Sequence, residues 1–215
     1  MKNITEIDYA ILTRMLSGAA HIMIENRDLL CKIDAVIGDG DHGITMERVM
    51  KIIAAKIKEA SSPNMSLLLQ DISWALMDCD GGATGPLYGS FFLGMSDAIV
   101  NKTVIDNTSF AAMLEGGLQS LMQQTKAKVG DKTMMDALIP AVNAAVQGAQ
   151  ENQGIEDILD AATKAAKLGS EYTSTIPARF GRAKFQGDRT IGHPDPGSVS
   201  ISLLFQGFVN GLTSS

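Results

Sequence analysis

The sequence predicts an all-α protein, and three observations point to this class. Only 5% of the 215 residues are aromatic, whereas 45% are hydrophobic and Ala, Leu, Ile and Met are abundant, a composition that favours helix over strand. Apolar residues recur at three- and four-residue steps along most of the chain. No convincing pair of alternating, strand-like segments is present.

The first helix is predicted over about residues 5–31, where apolar side chains repeat from Ile7 to Met23. It follows Thr5, whose hydroxyl can cap the helix while Asp8 stands three residues on. Similar patterns predict seven more helices, which makes eight in all: they cover about residues 45–60, 65–79, 86–101, 108–125, 133–150, 154–174 and 197–212.

Three residues mark predicted helix starts. Pro86 follows a glycine and suits a first helical position, and Thr108 and Asp131 are expected to begin the helices after them. No repeat or linker-like change in composition divides the chain, so residues 1–215 are expected to form a single domain.

Composition and charge exclude several classes of protein. A net charge of -6 and a pI near 5.0 argue against general binding to nucleic acid, which needs a positive field. The first residues lack the pattern of a signal peptide, and no uncharged apolar run reaches about 18 residues, so no membrane span is expected. Cys31 and Cys79 match no zinc or redox spacing, which favours two buried thiols and a cytoplasmic location.

The segment 31–46 is unusual because it places three aspartates within eight residues. Asp34, Asp39 and Asp41 repel one another, and the glycines between them allow a tight loop. A hard divalent cation would offset this repulsion, and Mg²⁺ is favoured over Ca²⁺ because the loop supplies too few ligands for a calcium cage. A solvated acidic turn is the alternative.

The same segment literally matches the G-x-G-x-x-G dinucleotide fingerprint between Gly38 and Gly43. We reject that match, because the fingerprint presents bare backbone N–H groups to a pyrophosphate after a strand. Here two aspartates stand at the phosphate position and no strand precedes them. His42 next to them is equally compatible with contact to a phosphate, contact to a base, or a backbone hydrogen bond.

A second glycine-rich loop, GGATGP at 81–86, leads directly into a predicted helix. Free N–H groups at a helix N-terminus, together with the Thr84 hydroxyl, can bind an anion. The lysine required by a Walker A motif is missing, so the loop is no P-loop, and a simple tight turn remains the alternative.

A long connection at 176–197 concentrates positive charge in an otherwise acidic protein. It carries Arg179, Arg182, Lys184 and Arg189 against Asp188 alone. Guanidinium groups can clamp phosphate oxygens, although a solvated basic loop is the alternative. This combination of an acidic loop, a glycine-rich helix start and a basic loop is typical of proteins that bind a nucleotide polyphosphate. It therefore indicates phosphoryl transfer.

Two shorter segments are less informative. The HPDPG turn at 193–197 precedes the last helix and is compatible with a structural or a functional role, and GDKTM at 130–134 is interpreted as a loop and helix cap.

Four segments, in order, resemble the motifs of the dihydroxyacetone kinase L subunit: IDAVIGDGDHGITM, GGATGPLYGSFF, GDKTMMDALIP and ARFGRAKFQGDRTIGHPDPG. The resemblance spans nearly the whole chain. It implies an all-helical barrel of eight antiparallel helices that binds a nucleotide and two Mg²⁺ ions at one end.

The resemblance also implies roles for individual residues. The metal ligands would be Asp34, Asp39 and Asp41, and Arg182 would stabilise the transferred phosphoryl group as the catalytic residue. Met134 would pack near the adenine. Thr45 stands where the family usually has Asn, and Thr84 where it usually has Ser. The full set of implied nucleotide-binding residues is His42, Gly43, Ile44, Thr45, Ala83, Thr84, Met134, Arg182, Pro194, Asp195 and Pro196.

In this family the ketose is held by a separate K-type subunit, so the resemblance implies a partner. One version of the enzyme consumes ATP, and the other keeps ADP as a cofactor that a phosphotransferase-system protein, the M-type subunit, recharges. A chain of this length resembles the second version. A regulatory nucleotide-binding module without turnover, a kinase acting on another triose or a tetrose, and a metal-dependent phosphohydrolase are the alternatives.

Overall fold

The computed structural model describes residues 4–79, 82–181 and 183–214, and the statements below concern these residues. Within them the chain is all-α as predicted, and the only β-type pairing in this part is an isolated antiparallel bridge between Ile7 and Ile105. Two short 3₁₀ segments, Thr173–Thr175 and Ala183–Thr190, lie before the last helix. The described α-helices are α1 (Tyr9–Glu25), α2 (Arg27–Ile37), α3 (His42–Glu59), α4 (Met65–Met77), α5 (Thr84–Ala98), α6 (Asn107–Met122), α7 (Met135–Gln150), α8 (Ile155–Tyr172) and α9 (Pro196–Thr213).

Eight of these helices form a closed ring around one apolar core. The ring runs α1, α3, α4, α5, α6, α7, α8 and α9, and α9 packs back against α1. The ring closes tightly because Gly18 and Gly207 have no side chains: a Cβ on Gly18 would lie 2.4 Å from the Gly207 carbonyl oxygen. The short helix α2 packs mainly on α3.

Neighbouring helices in the ring run antiparallel. Gly18 of α1 contacts Gly207 of α9, and Arg14 contacts Gly211, so the two sequences pass in opposite directions. The same reversed order holds between α4 and α5 and between α7 and α8. An antiparallel ring places the N-termini of alternate helices at one end, and here these are the N-termini of α3, α5, α7 and α9.

The predicted first helix over 5–31 is two helices. The chain breaks at Asn26, whose side-chain amide donates to the Ile22 carbonyl at 2.8 Å, and α2 then continues to Ile37. The N-cap of α1 is Asp8, whose carboxylate accepts from the Ile11 N–H at 2.8 Å, so the prediction of a Thr5 cap was wrong.

Other predicted helix starts shift by a few residues. Asp106, and not Thr108, caps α6 by accepting from the Ser109 N–H at 2.8 Å. Asp131 precedes α7, which begins at Met135, by a whole turn. Pro86 is the third residue of α5. None of the described helices combines the length and apolar character needed to cross a bilayer.

Candidate functional site

A short turn at one end of the ring carries the three aspartates. Asp34 lies on the last turn of α2, and the chain reverses over residues 38–41 to enter α3 at His42. The Asp34 Oδ2 atom accepts from the backbone N–H of Gly40 at 2.9 Å and from that of His42 at 3.2 Å. Gly40 has φ +79°, a conformation that favours glycine. The turn therefore fixes the orientation of the Asp34 carboxylate.

The three carboxylates converge. One oxygen from each of Asp34, Asp39 and Asp41 lies within 4.8 Å of the others, and Asp34 is 8% exposed whereas its two partners are exposed. At this spacing each pair of like charges repels by about 0.9 kcal/mol even in a water-like dielectric. An all-oxygen, all-anionic set of donors fits Mg²⁺, which prefers carboxylates and water.

The distance between α2 and α3 depends on a glycine. A Cβ on Gly43 would lie 2.0 Å from the Arg27 carbonyl oxygen and 2.8 Å from the Cys31 sulfur. The Arg27 guanidinium also pairs with Glu47 of α3 at 3.1 Å. Gly43 therefore allows the two helices on either side of the aspartate turn to touch.

The aspartates form one wall of a cavity of about 420 Å³. Residues at the N-termini of four helices line it: His42 of α3, Thr84 of α5, Met134 just before α7, and Pro196 of α9. Each helix N-terminus carries a partial positive charge of about half a unit and several N–H groups without intrahelical partners. These four N-termini therefore contribute partial positive charge to the cavity, next to the carboxylates of the aspartates.

The start of α5 is exposed to the cavity through Thr84. No side chain among the described residues caps it, and Gly82 before it has φ +69°. Its first N–H groups are therefore available to an anion next to the Thr84 hydroxyl. The start of α9 differs, because Asp195 accepts from the Ser198 N–H at 2.7 Å. Burial raises the pKa of Asp195 to about 7.

His42 is held beneath the cavity by a serine. Its Nε2 atom lies 2.6 Å from the Ser200 hydroxyl, which in turn donates to the Pro196 carbonyl at 3.0 Å. Ser200 therefore links the His42 ring to the first turn of α9. Burial lowers the pKa of His42, which favours the neutral ring.

An apolar pocket of about 310 Å³ adjoins the cavity. Ala83, Leu87, Met134 and Phe180 line both spaces, and Ala127 and Met135 extend the apolar surface further. The two spaces together offer a charged end and an apolar end, which suits a ligand with phosphates and a flat ring.

Most of the residues predicted for the site meet at this cavity. Gly43, Ile44 and Pro194 do not line it: Gly43 faces α2 and Ile44 is 44% exposed. Arg182 lies outside the described residues. The predicted residues that do line the cavity are Asp34, Asp39, Asp41, His42, Thr45, Ala83, Thr84, Met134, Asp195 and Pro196.

The remaining basic residues of the long connection stay away from the cavity. Arg179, Lys184 and Arg189 are exposed and are not among its lining residues. The Lys184 ammonium lies 4.9 Å from the centre of the Phe185 ring. For these three residues, the local excess of positive charge in the sequence therefore corresponds to a solvent-exposed surface.

Lys132 is a charged residue of the cavity that the sequence analysis did not single out. It lines the cavity but is only 2% exposed, and its ammonium is surrounded by backbone carbonyl oxygens. Its partners lie 41 to 61 residues further along the chain, so no local pattern indicates them. Tyr88 was also missed, and its buried hydroxyl lacks a hydrogen-bond partner in the part of the chain described.

The charges of the cavity are mostly negative. Four carboxylates line it, those of Asp34, Asp39, Asp41 and Asp195, against the one ammonium of Lys132 among the described lining residues. That ammonium already donates to carbonyl oxygens. A phosphate entering this space would therefore need cations to offset the carboxylates, and the aspartate cluster is where they would be held.

Comparison with known proteins finds close relatives. The family model described as the DAK2 domain matches residues 36–210. The chain is 36% identical over 198 residues to the ADP-binding subunit DhaL of PEP-dependent dihydroxyacetone kinase 1 of Listeria innocua, covering 92% of this chain and 93% of that protein. It is 31% identical over 195 residues to the corresponding DhaL subunit of Escherichia coli, covering 91% and 93%.

A solved structure shares the fold. The dihydroxyacetone kinase of C. freundii, crystallised with AMP-PNP and Mg²⁺, superimposes with a TM-score of 0.73 at 25% identity. The match covers 94% of this chain and 34% of that longer one. The ring of helices described above is thus a known helical fold.

Proposed function

The chain belongs to the DAK2 domain family, and we propose that it is the nucleotide-binding subunit of a dihydroxyacetone-type kinase. In this role it binds ADP or ATP with Mg²⁺ and passes a phosphoryl group to a short ketose held on a separate K-type subunit. The two DhaL relatives support this proposal, because the chain spans more than nine-tenths of each and both are named ADP-binding subunits of such kinases.

The observation that carries the proposal is the chemistry of the cavity. Three convergent carboxylates face an uncapped helix N-terminus, and an apolar pocket continues from the same space. Carboxylates can face phosphates only through metal ions, the helix N-terminus suits a phosphate directly, and the apolar pocket suits a base. A nucleotide polyphosphate with bound Mg²⁺ uses all three features.

Asp34, Asp39 and Asp41 would hold two Mg²⁺ ions. Three carboxylates bring three negative charges, and two ions would neutralise them and leave positive charge for the phosphates. The bound ions would supply electrostatic stabilisation of the transferred phosphoryl group. The Asp34 carboxylate is already oriented for this by the N–H groups of Gly40 and His42.

The base would lie in the apolar pocket against Met134, and Arg182 would stabilise the phosphoryl group during transfer. We further propose that the nucleotide is a retained ADP, recharged by an M-type phosphoryl donor of the phosphotransferase system, and that the protein works in the cytoplasm. The names of the relatives support this version over direct use of ATP. Residues 1–215 would act as one nucleotide-binding domain.

The proposal is tested by identifying the nucleotide that the protein carries. The chain is purified in Mg²⁺ without added nucleotide and denatured, and the released small molecule is identified and quantified. We expect near-equimolar ADP, and phosphorylation of dihydroxyacetone once a K-type subunit and a phosphorylated M-type donor are added. An empty protein that binds ATP reversibly would favour the ATP-dependent version, and binding of neither nucleotide would refute the proposal.

A further inference from the structure

Lys132 makes an unusual set of contacts for a lysine. Its side chain is buried, and its Nζ atom lies within hydrogen-bonding distance of four backbone carbonyl oxygens. These are the carbonyls of Thr173 at 2.5 Å, Ile176 at 3.2 Å, Thr190 at 2.9 Å and His193 at 2.5 Å. All four belong to the segment 173–195 that connects α8 to α9, which we call the α8–α9 connection.

The carbonyls come from the two ends of that connection. Thr173 and Ile176 lie at its beginning, and Thr190 and His193 lie near its end. One ammonium group therefore holds both ends of the connection together and fixes them to the loop before α7. An ammonium has three N–H donors and is strongly hydrated in water, so a buried lysine requires such a set of acceptors.

The middle of the α8–α9 connection forms part of the cavity. Phe180, Gly181 and Ala183 line it, and Phe180 and Gly181 also line the adjoining apolar pocket. Arg182 lies between them in the sequence. The connection also contains neutral hydrogen bonds, such as that from the Ala178 N–H to the Thr190 hydroxyl at 2.8 Å.

The backbone of Lys132 is also adapted to this position. Its φ is +60°, which is uncommon for a residue with a side chain and is retained only where surrounding contacts require it. The next two residues, Thr133 and Met134, line the cavity from the α7 side. Lys132 thus lies where the α7 loop and the α8–α9 connection meet.

We propose that Lys132 is a positioning residue whose buried ammonium holds the α8–α9 connection in place over the cavity. The ammonium acts through the four carbonyls rather than on the ligand. The expected effect on nucleotide binding and phosphoryl transfer rests on the proposed function, whereas the expected effect on the conformation of the connection does not.

The test replaces the ammonium and then restores it from solution. Lys132→Ala removes the side chain beyond Cβ and leaves space for n-propylammonium, which has the missing three carbons and the ammonium. Lys132→Met fills most of that space without a charge, so it has no room for the amine and is the matched control for rescue. Lys164→Met, which removes an exposed lysine from α8, is the control for loss of charge.

The first readout is amide hydrogen exchange of residues 173–195, measured on the intact protein without nucleotide. We expect exchange there to become at least about tenfold faster in Lys132→Ala and Lys132→Met, because four carbonyls, two of them in buried hydrogen bonds, lose their donor, and to stay unchanged in α4 to α6. Propylammonium should restore protection to Lys132→Ala but not to Lys132→Met, and Lys164→Met should match the parent.

The second readout is binding of Mg²⁺–ADP. We expect weaker binding by Lys132→Ala, recovered with propylammonium in parallel with the protection of the connection. Unchanged exchange in both variants, or faster exchange in Lys132→Ala that propylammonium does not reverse, would overturn the proposal, and so would unfolding of the whole ring in Lys132→Met and Lys132→Ala alike. If the parent protein binds no nucleotide, the proposed function fails while the exchange result still decides the role of Lys132.

Discussion

Replacing Asp41 with Asn should stabilise the metal-free protein and abolish its stabilisation by Mg²⁺ and nucleotide. Asp41 precedes α3 but its side chain makes no capping hydrogen bond, and it is exposed. Its carboxylate lies within 4.8 Å of those of Asp34 and Asp39. Asn has nearly the same shape, so the substitution removes a charge and little else.

The magnitude follows from the spacing of the charges. Two like charges 4.8 Å apart repel by about 0.9 kcal/mol in a water-like dielectric, so Asp41 contributes about 1–2 kcal/mol of repulsion from its two neighbours before salt screening. At physiological ionic strength about 1 kcal/mol of this repulsion remains. In a protein of this size about 1 kcal/mol corresponds to roughly 2–4 °C in Tm. A ligand present at about 100 times its Kd adds about 2.7 kcal/mol, hence roughly 5–11 °C.

The assay is thermal unfolding of the parent and Asp41→Asn, each in a chelator and in Mg²⁺ with ADP. We expect the Tm of the variant to be roughly 2–4 °C higher in the chelator and to gain almost nothing from Mg²⁺–ADP. Asp160→Asn, which removes an exposed charge from α8, is the control and should retain the full gain. A lower Tm in the chelator, or a retained gain with Mg²⁺–ADP, would refute the reasoning.

Three further predictions concern the same end of the ring. Gly43→Ala should lower the free energy of unfolding by about 2–4 kcal/mol in urea denaturation, because its Cβ would meet the Arg27 carbonyl oxygen; an unchanged midpoint would contradict this. Burial raises the pKa of Asp195 from its ordinary 3.8 to about 7, so the metal-free folded protein retains a proton that the unfolded chain releases. The protonated Asp195 therefore contributes stability that is fully present below about pH 4 and is lost as the pH rises through about 7. Asp195→Asn, which keeps a capping oxygen, should flatten the resulting fall in Tm across this pH range. Met134→Ala should weaken binding of ADP about 10- to 100-fold without changing Mg²⁺ binding to the aspartates, and an equal loss of both in titration calorimetry would argue against the adenine pocket.

Local patterns predicted most of the fold, because they depend on residues close in sequence. Helical spacing of apolar side chains gave the all-α class and nearly every helix. The break at Asn26 was missed because apolar spacing continues across it, and the structure shows it as an Asn26 side-chain hydrogen bond to the Ile22 carbonyl followed by a helix that packs mainly on α3. Asp8 rather than Thr5 caps α1, which periodicity alone cannot distinguish.

The site residues likewise divide into those that the local sequence predicts and those that it does not. The aspartate turn was predicted because Asp34, Asp39 and Asp41 are close in sequence, and the structure brings their oxygens together. Lys132 was interpreted as part of a loop and cap, because its carbonyl partners are distant in sequence and are backbone atoms that no residue type marks. The basic residues Arg179, Lys184 and Arg189 suggested a phosphate contact that these three do not make in the described cavity.

The packing of α9 against α1 has a consequence for the order in which the protein is made. The aspartate turn is local and can form soon after α3 leaves the ribosome, whereas Asp195 and Pro196 join the cavity only when α9 docks on helices synthesised much earlier. Such a long-range closure is slow compared with local turns. A nascent chain can therefore form its aspartate turn early, but it completes the wall of the cavity at Asp195 and Pro196 only once α9 has docked.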